Sequence, residues 1–168
     1  RNAPEPAQTA APAQPGHTPP AAQGQRPAAT QAPTQAATQA PPASTNGSLR
    51  QQVVNFALQW QDPNGYQWGG TVLGQGVDCS GFTQAVMAHF GIGINRTAAS
   101  QASNGTRIDP SQAQPGDLLF YSNIGGPINH VAIYIGNGQI IHSASERSGI
   151  LISDWHYNTP VACVNVIG

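Results

Sequence analysis

The sequence predicts an α+β domain behind a coreless tract. Three observations carry this: apolar residues at helical spacing in the first half of the folding unit, period-two β-branched and aromatic runs in its second half, and no large apolar residue before Leu49. Residues 1–47 lack Val, Ile, Leu, Met, Phe, Tyr and Trp, and Ala, Pro, Gln and Thr fill 37 of the 47 positions. Such a stretch has nothing to bury against the entropy of ordering and reads as a disordered linker. Residues 48–168 are enough for one conventional core, so they form one domain.

Ser48 followed by Gln51 suits a capping box, and Leu49, Val53, Phe56 and Trp60 share a helical face before the turn Asp62-Pro63-Asn64-Gly65. After the glycine-studded Tyr66-Gln67-Trp68-Gly69-Gly70, Asp78 caps a second helix with Phe82, Ala85, Val86 and Phe90 inward, ending at Gly91. A short helix follows Arg96 and Thr97. The turn Gln114-Pro115-Gly116-Asp117 then switches the pattern to strands over 118–121, 130–135, 139–144, 149–153 and 161–166. Helices first and strands later place an antiparallel sheet against the second helix.

Cys79 stands in the first turn of that helix, where peptide dipoles favour thiolate over thiol, and His130 and His142 on strands downstream read as base and orienter. The hairpin between the histidines tests this. A two-residue turn Asn137-Gly138 pairs Ile133 with His142 and puts the imidazoles on opposite faces. A three-residue loop 136–138 with left-handed Gly138, or a bulge of equal effect, is expected instead; it pairs Ala132 with His142 and leaves His130 a same-face diagonal neighbour at roughly 7–8 Å.

Plainer readings stand beside this one. Cys79 is also explained as a small buried apolar residue, and Cys79, His130 and His142 as ligands of a zinc ion, although no close-set ligand pair is present. Cys163 alternates with Val161 and Asn165 and reads as core; a Cys79–Cys163 disulfide would consume the nucleophile, so both are expected reduced. His17 falls in the linker, His89 meets its helix dipole, and His156 rivals His142 for the third position. Asp117 shapes its turn, and Trp60 is core. Trp68 lines a cleft or packs, and Arg96 meets a substrate carboxylate or buttresses the helix.

Net charge is −1, and the basic residues are six scattered Arg with no Lys, which argues against nucleic acid or an anionic membrane as partner. No apolar run reaches membrane-spanning length, and no signal peptide is visible. The opening Arg1 reads as processing or truncation.

Tyr66-Gln67-Trp68-Gly69-Gly70, Asp78-Cys79-Ser80-Gly81-Phe82, Gln114-Pro115-Gly116-Asp117-Leu118-Leu119-Phe120, His130-Val131-Ala132-Ile133-Tyr134-Ile135-Gly136 and Ile140-Ile141-His142-Ser143-Ala144 occur here in one order. Together, over about Leu49 to Ile167, they resemble the NlpC/P60 family of bacterial cell-wall cysteine peptidases. The resemblance implies a papain-like fold and a hydrolase cutting peptidoglycan stem peptides, typically between γ-D-glutamate and a diamino acid. It implies Cys79 as nucleophile, His130 as general base and His142 as third member, acting through a thioester acyl-enzyme. Tyr66 would lie beside the nucleophile and Asp78 would bind the substrate's free amine; Ser80, Arg96 and Trp68 complete the candidate substrate contacts. Ala98 departs from the Ser or Thr the family often has there. No metal or cofactor is implied, and the enzyme would act as an extracytoplasmic monomer. An N-acetylmuramoyl-L-alanine amidase with the same triad and an inactive wall-binding module are the alternatives, since fold and triad do not select the bond.

Overall fold

The computed structural model describes residues 45–168, with side chains from Leu49 onward. The expected linker lies outside the described residues except for 45–47. These open helix α1 (Thr45–Leu58) three residues ahead of the expected start, so Ser48 and Gln51 fall within the helix.

Two short strands, β1 (Thr71–Val72) and β2 (Gly76–Val77), form a hairpin before helix α2 (Cys79–His89), and α3 (Ala98–Gln101) follows. Next come β3 (Thr106–Ile108), a single 3₁₀ turn Pro110–Gln112, and β4 (Leu118–Tyr121). The chain ends in β5 (His130–Gly136), β6 (Gln139–Ser145), β7 (Gly149–Asp154) and β8 (Pro160–Asn165). Six strands form one antiparallel sheet in the order β3-β8-β4-β5-β6-β7. The expected strands are present within a residue or two. β1, β2 and β3 were not anticipated, because two or three residues are too few to show a period.

One sheet face packs on the helices. Phe82, Val86 and Met87 of α2 and Val53 and Ala57 of α1 join Leu118, Phe120, Val131, Ile133 and Ile141 in the main core. Met87 takes the inward position expected of Ala85, which is only partly buried. α2 ends as expected: Gly91 N–H donates to the Ala88 carbonyl and Ile92 N–H to that of Met87. On the other face Leu119, Tyr121, Ala132, Ile140 and Cys163 form a second cluster under Trp155 and Tyr134.

The β5–β6 hairpin has the two-residue turn, not the three-residue loop. Asn137 and Gly138 both have positive φ (54° and 72°), and Gly136 pairs with Gln139. A bulge at Ile135 then shifts the register, so that Tyr134 opposes Ile140 and Ile133 opposes Ile141. One pair further along this register Ala132 faces His142, which is the outcome the catalytic reading requires, reached through the bulge.

Candidate active site

The start of α2 is held by a polar network centred on Asp78. Its extended backbone makes it the N-cap, and its carboxylate accepts from Gly81 N–H at 2.7 Å and from Gly69 N–H at 3.0 Å. Arg96 grips the same carboxylate at 2.6 and 2.9 Å and donates to the Ser80 hydroxyl at 2.9 Å. Burial alone would raise the Asp78 carboxyl, but Arg96 and the two N–H groups outweigh it and hold it below its ordinary range. Of the two readings of Arg96, the contacts give the buttress; its guanidinium also borders the cleft. Asp78 likewise spends its oxygens on the protein. The Gly70 carbonyl lies so close to Gly81 that a Cβ there would collide with it. This is why the loop carrying Trp68 needs a glycine in the helix it leans on.

Gln101 of α3, buried and unanticipated, locks this helix start from the other side. It accepts from the Thr83 hydroxyl at 2.7 Å and donates to the Ser80 carbonyl at 2.9 Å. Glutamines of this kind carry no sequence signal, because their partners lie many residues away.

The Cys79 sulfur lies 4.0 Å from the carbonyl oxygen of Asn129, the residue before β5. Both cysteines are free thiols, Cys163 buried in the second cluster. Burial pushes the Cys79 thiol up; the N–H groups of Val131 and Ser80 and the Ser80 hydroxyl pull the other way without prevailing. The sulfur therefore meets the backbone on both sides of His130.

His130 and His142 stand side by side on one face of the sheet, 6% and 4% exposed. His130 Nε2 and His142 Nδ1 are 2.7 Å apart, and His142 Nε2 lies 3.0 Å from the Ser153 hydroxyl on β7. Burial lowers the His130 imidazole to about 3, with the charge of His142 adding to it, and burial lowers His142 to about 4. Burial thus works against the thiolate that the helix start favours and against a charge on either imidazole, because charge is costly in a desolvated cleft. A neutral His130 that serves as base needs a bare nitrogen facing the thiol. If that is Nδ1, its Nε2–H donates to His142 Nδ1, and His142 Nε2–H donates to Ser153. Ser153 is the site residue the sequence reading missed.

Tyr157 ties these groups together. Its ring centroid is 5.4 Å from that of His142 and 6.4 Å from that of His130, and its phenol is raised by burial first and also by the charge of Cys79. The phenol donates to Asn123 at 3.1 Å, pinning the β4–β5 loop. The other histidines lie apart from this group: His89 stacks on Phe56 at 3.9 Å, and His156 is exposed against Trp155.

Trp68 is 82% exposed and is a wall, not core. A cavity of about 450 Å³ that it borders is lined by Asp78, Cys79, Ser80, Arg96, Ile128 and other residues. A second cavity that Trp68 borders, of about 420 Å³, is lined by Tyr66, Trp68, Ser145, Glu146 and Arg147. Tyr66 borders the second, with a phenol raised by burial and then by the charges of Cys79, Asp78 and Glu146. Among the described residues no three His, Cys, Asp or Glu side chains group so as to hold a metal ion, and no helix is long and apolar enough to cross a membrane.

The NlpC/P60 family model matches residues 64–163. A probable endopeptidase p60 from Listeria innocua is 45% identical over 91 residues, 54% of this chain and 19% of that protein. A gamma-D-glutamyl-L-lysine dipeptidyl-peptidase from Bacillus cereus is 44% identical over 98 residues, 56% of this chain and 28% of that protein. The chain thus spans less than a third of either curated relative. Among solved structures, the NlpC/p60 domain of the peptidoglycan hydrolase SagA aligns with a TM-score of 0.60 and 37% identity, covering 67% of this chain and 95% of that one.

Proposed function

The chain belongs to the NlpC/P60 family, and from that premise we propose that it is a cysteine endopeptidase hydrolysing peptidoglycan stem peptides between γ-D-glutamate and a diamino acid. The observation that carries this is the hydrogen-bonded line His130–His142–Ser153 beginning at the residue whose flanking backbone touches the Cys79 sulfur. His130 takes the thiol proton as the sulfur attacks the scissile carbonyl, then delivers it to the leaving amine; water resolves the thioester by the reverse route. His142 accepts the His130 Nε2–H and stabilises the imidazolium while it exists. Because the free cleft favours neutral partners, thiolate and imidazolium form together at the moment of attack and are not stored beforehand. The Cys79 N–H, in the first helical turn and therefore without an intrahelical acceptor, is the nearest donor for the oxyanion, a role that typically contributes about 3 kcal/mol.

The acyl half occupies the cavity bordered by Asp78, Ser80 and Arg96, with Trp68 as its wall and Tyr66 beside the nucleophile. The enzyme acts as a monomer in this reading. The substrate class puts that action outside the cytoplasm. The tract ahead of helix α1 serves as a linker to the catalytic domain. The test is digestion of purified peptidoglycan with the wild type and with Cys79→Ser, followed by mass spectrometry of the new termini. New γ-D-glutamyl carboxyl ends made only by the wild type are expected. Release of intact stem peptides from the sugar would instead identify an amidase, and no new termini an inactive module.

A further inference from the structure

We propose that Asn123, in the loop between β4 and β5, is a positioning residue for the nucleophile: its side-chain oxygen and its main-chain N–H join the ring that rests on both imidazoles to the residue whose carbonyl meets the Cys79 sulfur. This rests on the peptidase reading above and adds to it a joint that the line His130–His142–Ser153 does not contain.

The loop has little packing of its own. Tyr121 pairs with His130 at its base, and residues 122–129 span the gap. Gly125 and Gly126 both have positive φ (74° and 80°), a Cβ on either would meet nothing within 4 Å, and Ile124 beside them is 89% exposed. A segment with so few packed contacts holds one conformation through its hydrogen bonds. Yet its last peptide unit carries the Asn129 carbonyl, 4.0 Å from the Cys79 sulfur, and leads directly into His130. Drift of that unit changes the placement of base against nucleophile.

Two asparagines close the loop. Asn129 N–H donates to the Tyr121 carbonyl at 3.1 Å, and Asn129 Oδ1 accepts from Asn123 N–H at 2.9 Å. Asn123 Oδ1 in turn accepts from the Tyr157 phenol at 3.1 Å and from Asn158 Nδ2 at 3.0 Å, which engages both of its lone pairs. Those two donors come from the segment after β7, and the Tyr157 ring lies against His142, His130 and Tyr121 with centroids 5.4, 6.4 and 5.0 Å away. Contacts therefore run from the imidazoles through Tyr157, Asn123 and Asn129 to the sulfur. Asn123 is the member that accepts on one side and donates on the other, so truncating its side chain severs the imidazole end from the sulfur end.

The experiment measures kcat and KM separately on a γ-D-glutamyl peptide, using the full chain and its variants. Because the lost hydrogen bonds are exposed and the displacement of the Asn129 peptide small, Asn123→Ala should lower kcat about fivefold and keep KM within about twofold. Tyr157→Phe keeps the ring and loses the phenol; kcat should fall about threefold, and the double variant should be no worse than Asn123→Ala, since both substitutions cut one connection. Asn123→Asp retains an oxygen for both donors and should return kcat to within about twofold of wild type, and Ile124→Ala in the same loop should leave it unaltered. Losses that multiply in the double variant, no recovery with Asn123→Asp, or an equal loss with Ile124→Ala overturns the inference with the peptidase reading intact. If the wild type cuts no stem peptide, the peptidase reading falls, and the joint is judged by relaxation dispersion of the Asn129 and His130 amide signals. Exchange in Asn123→Ala and Tyr157→Phe that the wild type and Ile124→Ala lack upholds the joint; identical profiles refute it.

Discussion

Replacing Ser153 by Ala probes the part of the site that no local pattern announces. Among the described residues the substitution removes the hydrogen-bond partner of His142 Nε2, at 3.0 Å, and leaves that part-buried nitrogen without it. A neutral hydrogen bond of this kind contributes about 1 kcal/mol net. Here its loss falls on the tautomer with Nε2–H, the form that keeps His142 Nδ1 bare to receive His130 at 2.7 Å. A handicap of about 1 kcal/mol to the productive tautomer converts to roughly fivefold in kcat/KM. Added misorientation of His130 can carry the loss to about tenfold. Steady-state hydrolysis of a γ-D-glutamyl peptide gives the rate, and nitrogen-15 shifts of the His142 ring report the tautomer. Ser153→Thr, which retains the hydroxyl and suits a strand, should recover most of the activity. A Ser153→Ala enzyme within twofold of wild type, with unchanged His142 shifts, would refute the tautomer argument. A loss as deep as that of His130→Ala would also refute it, by showing that Ser153 does more than hold a ring.

The remaining predictions concern the same cleft. His142→Asn should retain measurable turnover while His130→Ala abolishes nearly all of it; equal rates in single-turnover assays would contradict the division of roles. Because burial lowers His130 to about 3 and His142 to about 4 from an ordinary 6.5, the unfolded chain binds more protons than the folded one as pH falls below 6.5. Stability should drop by up to about 1.4 kcal/mol per pH unit for each histidine, levelling off only below the folded values. Thermal melts from pH 7 to 4 should therefore steepen downward, and His142→Asn should lessen the slope; a flat profile would mean that the rings are solvated. For the same reason the acid limb of kcat/KM should lie well below the ordinary imidazole range. Gly81→Ala drives a Cβ against the Gly70 carbonyl and should cost about 1–3 kcal/mol while displacing Cys79. Gly93→Ala, which meets nothing within 4 Å, is the control in denaturant titration.

What was legible in the sequence follows from rules that act over a few residues. Asp78 three positions before Gly81, apolar residues returning every three or four places, and alternation in the last fifty residues fix a capped nucleophile helix and a run of antiparallel strands, because capping and periodic burial need only neighbours in the chain. The pattern also named both imidazoles and expected them on a common face, by a loop or by a bulge of equal effect, without telling which. Two turn geometries were open at Asn137–Gly138, and only packing, through the bulge at Ile135, selected the register that joins the rings. Tertiary structure alone decided that Arg96 clasps Asp78, that Gln101 locks the helix start, that Ser153 completes the line of hydrogen bonds, and that burial raises the Cys79 thiol and lowers both imidazoles. Each depends on desolvation or on a partner eleven or more residues away, and neither quantity exists until the chain has folded.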